Sequence, residues 1–206
     1  MYNTMRLLDA KREQYRRLAR IHGYRSRSSY KIIQINQKYN IFKENDNVVD
    51  VGSAPGGWSQ VAKKYVGTNG KVIGVDLNKV KPIEGVILIQ GNIENPEVTD
   101  NIIHMLSQAD VFLSDLSPNV SGIWQFDHLK QISISLVALS FASKLLRDGG
   151  KAVFKIFEGE SEGQIKSKFK ELFDIVIKTK PNASRQKSSE NYYVCSGFKK
   201  NLKSTK

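Results

Sequence analysis

Short apolar runs alternate with segments in which apolar positions return every three or four residues. The runs Val48–Val51, Lys71–Val75, Val86–Ile89, Ala109–Asp115, Lys151–Phe157, Ile175–Ile177 and Asn191–Phe198 predict strands. The segments 30–39, 60–66, 95–106, 127–146 and 164–173 carry the helical period. Ser28 or Ser29 caps the first of these helices, Asn95 followed by Pro96 opens the third, and Arg147–Gly150 stops the fourth. Strand alternating with helix is the signature of one doubly wound α/β sheet, whose ligands lie outside the carboxyl ends of its strands.

The first strand runs into Gly52-Ser53-Ala54-Pro55-Gly56-Gly57-Trp58, a turn of small residues leading into a helix. It is not the dinucleotide fingerprint, because Ala54 stands where the second glycine is required and Pro55 stiffens the turn. Asp76 follows about 24 residues after Gly52, at the tip of the second strand, where a ribose-binding acid belongs. The pair favours a nucleoside-bearing ligand without a pyrophosphate.

Three charges sit where charge is expensive. Lys31 falls in the first turn of a helix, where the macrodipole disfavours a cation, so an acid or a task should hold it there. Asp115 ends the fourth strand before a proline turn and points into the crevice. Lys155 interrupts an otherwise apolar fifth strand; on an edge strand it would snorkel to water, but in a sheet covered on both faces it must be paired or employed. The segment 119–128, with Gly122, Trp124 and Phe126, reads equally as a loop closing over substrate or as a packed connection.

Composition adds the partner. At 206 residues and 40% hydrophobic content the chain supports one sizeable core, and a formal net charge of +12 points to a polyanion. The bases cluster: Arg12, Arg16, Arg17 and Arg20 crowd a helix-compatible segment offset only by Asp9 and Glu13, and Arg25 and Arg27 follow among tyrosines. Cations interleaved with aromatics suit RNA. The loop 178–190, with Arg185 and Lys187, has the composition of a mobile phosphate-contacting segment. The single cysteine, Cys195, excludes an internal disulfide framework and a thiolate metal cage, and reads as a buried small hydrophobe. With no apolar run of membrane-spanning length and no secretory leader, the expectation is a cytoplasmic protein.

Taken together, Asp50–Gln60, Ser114–Gly122, Phe154–Gly159 and the Ser184-Arg185 to Ser189-Glu190 segment resemble the FtsJ/RrmJ (RlmE) family of RNA ribose 2′-O-methyltransferases, most closely its archaeal members, from about Arg25 to Phe198. The resemblance implies a Rossmann-like seven-stranded methyltransferase sheet with helices on both faces and an antiparallel last strand. It implies S-adenosyl-L-methionine held by Gly52, Ala54, Pro55, Gly56, Gly57, Trp58, Asp76, Leu77, Asn92, Ile93 and Asp115. Within that set Gly56 and Trp58 would line the amino-acid side, Asp76 would take the ribose hydroxyls, and Asn92 and Ile93 would flank the adenine. Asn92 departs from the family's usual aspartate and is a poorer acceptor for the adenine amino group. The catalytic tetrad would be Lys31, Asp115, Lys155 and Glu190. The domain plan is a basic RNA-binding extension over 1–27, a methyltransferase domain over 28–199 and a basic disordered tail over 200–206.

On this reading the protein is a monomer that methylates a uridine ribose in large-subunit ribosomal RNA. A free lysine is mostly protonated at neutral pH, so Lys155 acts as a base only if burial and the charge of Lys31 favour the neutral amine; otherwise it steers the hydroxyl as a cation. A transfer RNA anticodon-loop enzyme would share the same tetrad. A catalytically silent assembly factor would show gaps in it, and none of the four positions is empty. A nicotinamide-dependent oxidoreductase is disfavoured by Ala54 and gives Lys155 no task.

Overall fold

The computed structural model describes residues 13–119, 121–185 and 188–200. A helix over 13–21 (α1) precedes α2 (Ser29–Tyr39). There follow β1 (Val48–Val51), α3 (Gly57–Val66), β2 (Val72–Asp76), β3 (Val86–Gln90), α4 (Pro96–Leu106) and β4 (Ala109–Ser114). The chain continues through α5 (Trp124–Leu145), β5 (Leu146–Phe157), α6 (Glu162–Leu172), β6 (Phe173–Thr179) and β7 (Glu190–Phe198). The strands form one seven-stranded sheet in the order β3-β2-β1-β4-β5-β7-β6, parallel except for β7, which runs antiparallel to both neighbours.

Side-chain alternation along the central strands builds two cores. Val49, Val51, Phe112, Phe154 and Ile156 face Ile102, Leu139, Phe141, Ile165 and Phe169 of α4, α5 and α6. Val48, Val72, Leu113, Val153 and Val194 face Ile32 and Ile35 of α2 and Trp58, Val61 and Val66 of α3. β5 is therefore interior, between β4 and β7, and Lys155 lies on its α2/α3 face at 6% exposure. The edge-strand alternative for Lys155 does not apply.

Local expectations hold with three corrections. Asn95 caps α4, its side chain accepting from the Glu97 N–H with Pro96 at the first position. Neither serine caps α2: Ser28 is already in helical geometry, its hydroxyl is bonded to Ser26 Oγ, and the Ser29 hydroxyl is buried without a partner among the described residues. α5 begins at Trp124, earlier than Asp127, because Asp127 sits inside the first turn and reaches back to the preceding loop. The turn at Arg147–Gly150 exists, with Gly149 at φ +73, but it bulges from the start of β5: Leu146 pairs with Ala109 and Lys151 with Val111.

The described part of the N-terminal segment is packed on the domain. Ala19 is 3% exposed, Tyr15 OH accepts from Gln34, and the Tyr15 and Tyr24 rings flank Tyr30. Lys200 N donates to Asp148, while the expected tail beyond it lies outside the described residues. No described helix is long and apolar enough to cross a membrane.

Candidate active site

Four charges from four parts of the chain converge at the carboxyl ends of β4 and β5. Asp115 immediately follows β4, its N–H held by Val51 O. Lys155 pairs in register with Tyr192 of β7, and Phe157 with Glu190, so the antiparallel strand carries its acid back to the crevice. Lys31 reaches in from α2. The Lys31 ammonium lies 2.5 Å from Glu190 Oε1 and donates to Tyr192 OH at 3.1 Å; Tyr192 OH donates to Asp115 Oδ1 at 3.2 Å. Lys155 Nζ is 3.2 Å from the same Asp115 oxygen and 2.5 Å from Asp115 O. The result is one continuous chain, Glu190–Lys31–Tyr192–Asp115–Lys155, with two cations offset by two anions.

Burial sets the protonation along it. Burial pushes the Glu190 carboxyl up, but Lys31, then Lys155, pull it harder the other way, and it ends below the ordinary carboxylate value. Burial, then the Asp115 and Glu190 charges, hold the Tyr192 phenol well above its usual value of 10.0. A phenol that keeps its proton must donate to Asp115 and accept from Lys31, which fixes the polarity of the chain. Ser184 Oγ adds a bond to Glu190, and Gln131, fully buried on α5, donates to Lys155 O and Leu116 O, locking the ends of β4 and β5 together.

Beside this chain lies a cavity of about 290 Å³, walled by Gly52, Asp76, Leu77, Asn92, Ile93, Glu94, Leu116, Pro118 and Lys130 among others. It stands at the small end of the range for ligand pockets. Leu77, Ile93, Leu116 and Pro118 offer apolar faces for an aromatic base. Asp76 accepts from Ala54 N, Asn78 N and Asn78 Nδ2, leaving one of a carboxylate's roughly four acceptor positions for a ribose hydroxyl. Gly52 has φ +75, and a Cβ there would meet Leu116 at 3.0 Å. The residues present therefore fit an adenosine-bearing cofactor.

Of the expected cofactor residues, Gly52, Asp76, Leu77, Asn92 and Ile93 line this cavity, and Asp115 sits next to its Leu116 wall. Ala54, Pro55, Gly56, Gly57 and Trp58 do not line it. Ala54 N instead holds Asp76 of the cavity wall, while the later residues touch the N-terminal segment: Pro55 O accepts from Arg25, Gly57 packs on the Ser26 and Ser29 hydroxyls, and Trp58 Nε1 donates to Ser28 O with its ring on Tyr192. Trp58 is 2% exposed because its ring completes the α2/α3 core. Asn92 is folded onto Glu94, accepting from Glu94 N and donating to Glu94 Oε2, so the wall regains a carboxylate acceptor that sequence reasoning missed.

The expected RNA contacts divide. Arg16, Arg17, Arg20 and Arg185 are exposed, the first and third beside Glu13. Arg25 is committed to carbonyls, with Nη1 donating to Pro55 O and Lys81 O and Nη2 to Pro82 O, because it bridges the glycine turn to the β2–β3 connection. Arg27 donates to Ala183 O, and Gln34 holds Ala183 N. The first half of the 178–190 loop is thus docked on α2, contrary to its mobile composition. Arg12 and Lys187 lie outside the described residues. Tyr192 was also missed, although it sits two residues from Glu190 on one strand and so shares its face.

Comparison with known proteins agrees with this geometry. Residues 24–198 match the FtsJ-like methyltransferase family. The chain is 44% identical over 195 residues to a ribosomal RNA large subunit methyltransferase E of Nitrosopumilus maritimus, covering 94% of this chain and 99% of that one. It is 45% identical to the protein of the same name from Methanococcus aeolicus, covering 93% and 72%. Among solved structures, a protein described as a ribosomal RNA methyltransferase from Plasmodium falciparum superposes with a TM-score of 0.76 at 32% identity, over 85% of this chain and 98% of the other. Fold, ordered motifs and end-to-end similarity lead to one conclusion: the chain belongs to the FtsJ-like methyltransferase family.

Proposed function

We propose that the protein is an S-adenosylmethionine-dependent methyltransferase acting on the ribose 2′-hydroxyl of a uridine in large-subunit ribosomal RNA, as a monomer in the cytoplasm. The observation that carries this reading is the Glu190–Lys31–Tyr192–Asp115–Lys155 chain at the end of a nucleoside-sized cavity. The relatives named ribosomal RNA large subunit methyltransferase E supply the choice of RNA.

Asp76, Leu77, Asn92, Ile93, Glu94, Leu116 and Pro118 would hold the cofactor's adenosine. When bound, that cofactor supplies a methyl group on a positively charged sulfur. The protein's own work is to place the ribose oxygen in line and to manage its proton. Lys155 does this. Asp115 O and Asp115 Oδ1 take two of its N–H groups, leaving the third direction for the incoming hydroxyl. Where that direction carries the amine lone pair, Lys155 takes the hydroxyl's proton as the methyl arrives; where it carries a third N–H, Lys155 steers the oxygen and the proton leaves to water. Asp115 orients Lys155 and places a negative charge near the crevice. Lys31, held by Glu190 and Tyr192, positions the ribose together with Lys155. Because Lys31 and Lys155 are 7% and 6% exposed, their fields act in a partly desolvated site where they are stronger than in water.

The test uses labelled S-adenosylmethionine with unmodified RNA fractionated into large subunits, small subunits, free ribosomal RNA and transfer RNA. Label confined to large-subunit RNA supports the reading. Label confined to transfer RNA keeps the chemistry and overturns the substrate. No label in any fraction, with cofactor binding shown by calorimetry, overturns the enzyme.

A further inference from the structure

The start of α5 presents Ile123, Trp124, Phe126 and Leu129 at 53, 47, 60 and 57% exposure, four large apolar side chains left in solvent on a strongly basic protein. The chain has two tryptophans, and the other, Trp58, is 2% exposed. The Trp124 ring is not a loose side chain. It lies 6.1 Å from the rings of both His128 and Phe157, with interplanar angles of 23° and 22°, so it is braced nearly parallel to two aromatic neighbours.

Those neighbours are themselves fixed. His128 is 4% exposed, its Nε2 accepts from Ser161 N, and Gly159 passes so close that a Cβ there would stand 2.6 Å from the ring. Phe157 lies two residues beyond Lys155 on the same face of β5 and opposite Glu190 in register. Asp127 accepts from Ser121 N, Ser121 Oγ and Gly122 N, which ties the preceding loop to the same helix turn. A rigid indole face is thus presented to solvent at the rim of the tetrad, and the methyl-transfer chemistry has no use for it.

We propose that Trp124 is a stacking platform for a nucleobase of the RNA substrate adjacent to the methylated nucleotide. This rests on the reading of the substrate as RNA. Three features select an unstacked base as the occupant. The platform lies beside the residues that must hold the target ribose, so a neighbouring nucleotide has to pass it. Lys130, six residues further along the same helix, keeps a cation on the element that carries the platform, available to a phosphate of the passing strand. A braced ring that keeps about half of its surface exposed matches the way single-stranded RNA is held, by stacking that tolerates any base.

The test is fluorescence titration of the full chain with a single-stranded RNA 12-mer and with an abasic oligomer of equal charge, binding being followed separately by anisotropy of an end label. The RNA should quench tryptophan emission and the abasic oligomer should bind without quenching. Trp124→Phe should lose the quench while keeping most of the affinity. Trp124→Ala should weaken RNA binding by about tenfold, the loss expected for one stacked base, and raise the RNA KM with the cofactor Kd unchanged. Unchanged quenching in Trp124→Phe, or unchanged RNA affinity in Trp124→Ala, overturns the platform and leaves the patch to a protein partner. If the wild-type protein methylates RNA and these variants behave as wild type, the platform alone fails; if the wild type neither binds nor methylates RNA, the functional reading fails and the platform with it.

Discussion

Asp50 gives the sharpest quantitative expectation. Strand alternation puts it on the α3 face of β1 with Val48, flanked in register by Gly74 and Leu113, and it is 0% exposed. Ser59 Oγ donates to Oδ2 at 2.6 Å, but Oδ1 has no hydrogen-bond partner among the described residues. Burial, opposed by the Ser59 bond and reinforced by the Asp115 and Asp76 charges, pushes its carboxyl from 3.8 up to about 7. Below pH 3.8 the group is protonated folded or unfolded and costs nothing. As pH rises from there to about 7, the unfolded chain gives up its proton and the folded chain does not, so stability is lost across that window and levels off above it. Roughly three units at 1.36 kcal/mol each make the full loss about 4 kcal/mol. Asp50→Asn keeps the shape, lets Ser59 turn its hydroxyl to accept, and cannot ionise. In urea unfolding its advantage over wild type should grow by about 2–3 kcal/mol between pH 5 and pH 8, read as a shift in midpoint at constant slope. An advantage that does not change with pH would refute the reasoning.

Tyr192→Phe removes the bridge between Lys31 and Asp115 without emptying the core, and should lower kcat about tenfold with the cofactor Kd unchanged by calorimetry. Arg25→Ala deletes three bonds to carbonyls and should cost about 1–2 kcal/mol in thermal or urea unfolding; an effect confined to RNA affinity would instead make Arg25 a phosphate ligand. Replacing Arg16, Arg17 and Arg20 together by Gln should reduce the salt slope of RNA binding by about 0.7 for each phosphate these arginines neutralise, and an unaltered slope would return that face to ordinary solvation.

Much of the site was legible because its residues violate local rules. A lysine in a helix's first turn and another inside an apolar strand both demanded partners, and both have them, in Glu190 and Asp115. The sheet was readable for the complementary reason: its strands obey their period, and the two cores follow from it. What stayed hidden depends on distance between segments. Nothing local separates Arg25, spent on three carbonyls, from the exposed Arg17. The glycine turn has the composition of a cofactor loop throughout, and only the fold shows that Pro55, Gly57 and Trp58 also contact the N-terminal segment. Asp50 interrupts its apolar run as Lys155 does and carries the same signal; what only the fold shows is that Ser59 is its partner and that its second oxygen has none among the described residues. Asn92 is a weak acceptor by itself, and only the fold shows its neighbour Glu94 standing in the same wall.

The central claim is that Lys155, held by Asp115 at the end of the crevice, directs a methyl group to a ribose oxygen. Its most direct measurement is alkaline hydrolysis of large-subunit RNA labelled in a single turnover by wild type and by Lys155→Ala, with cofactor affinity measured on both. A 2′-O-methyl group removes the hydroxyl that alkali uses to cut the chain, so wild type should yield one labelled, alkali-resistant dinucleotide. Lys155→Ala should yield none while binding cofactor normally. Label released in mononucleotides, or undiminished transfer by Lys155→Ala, would contradict the account.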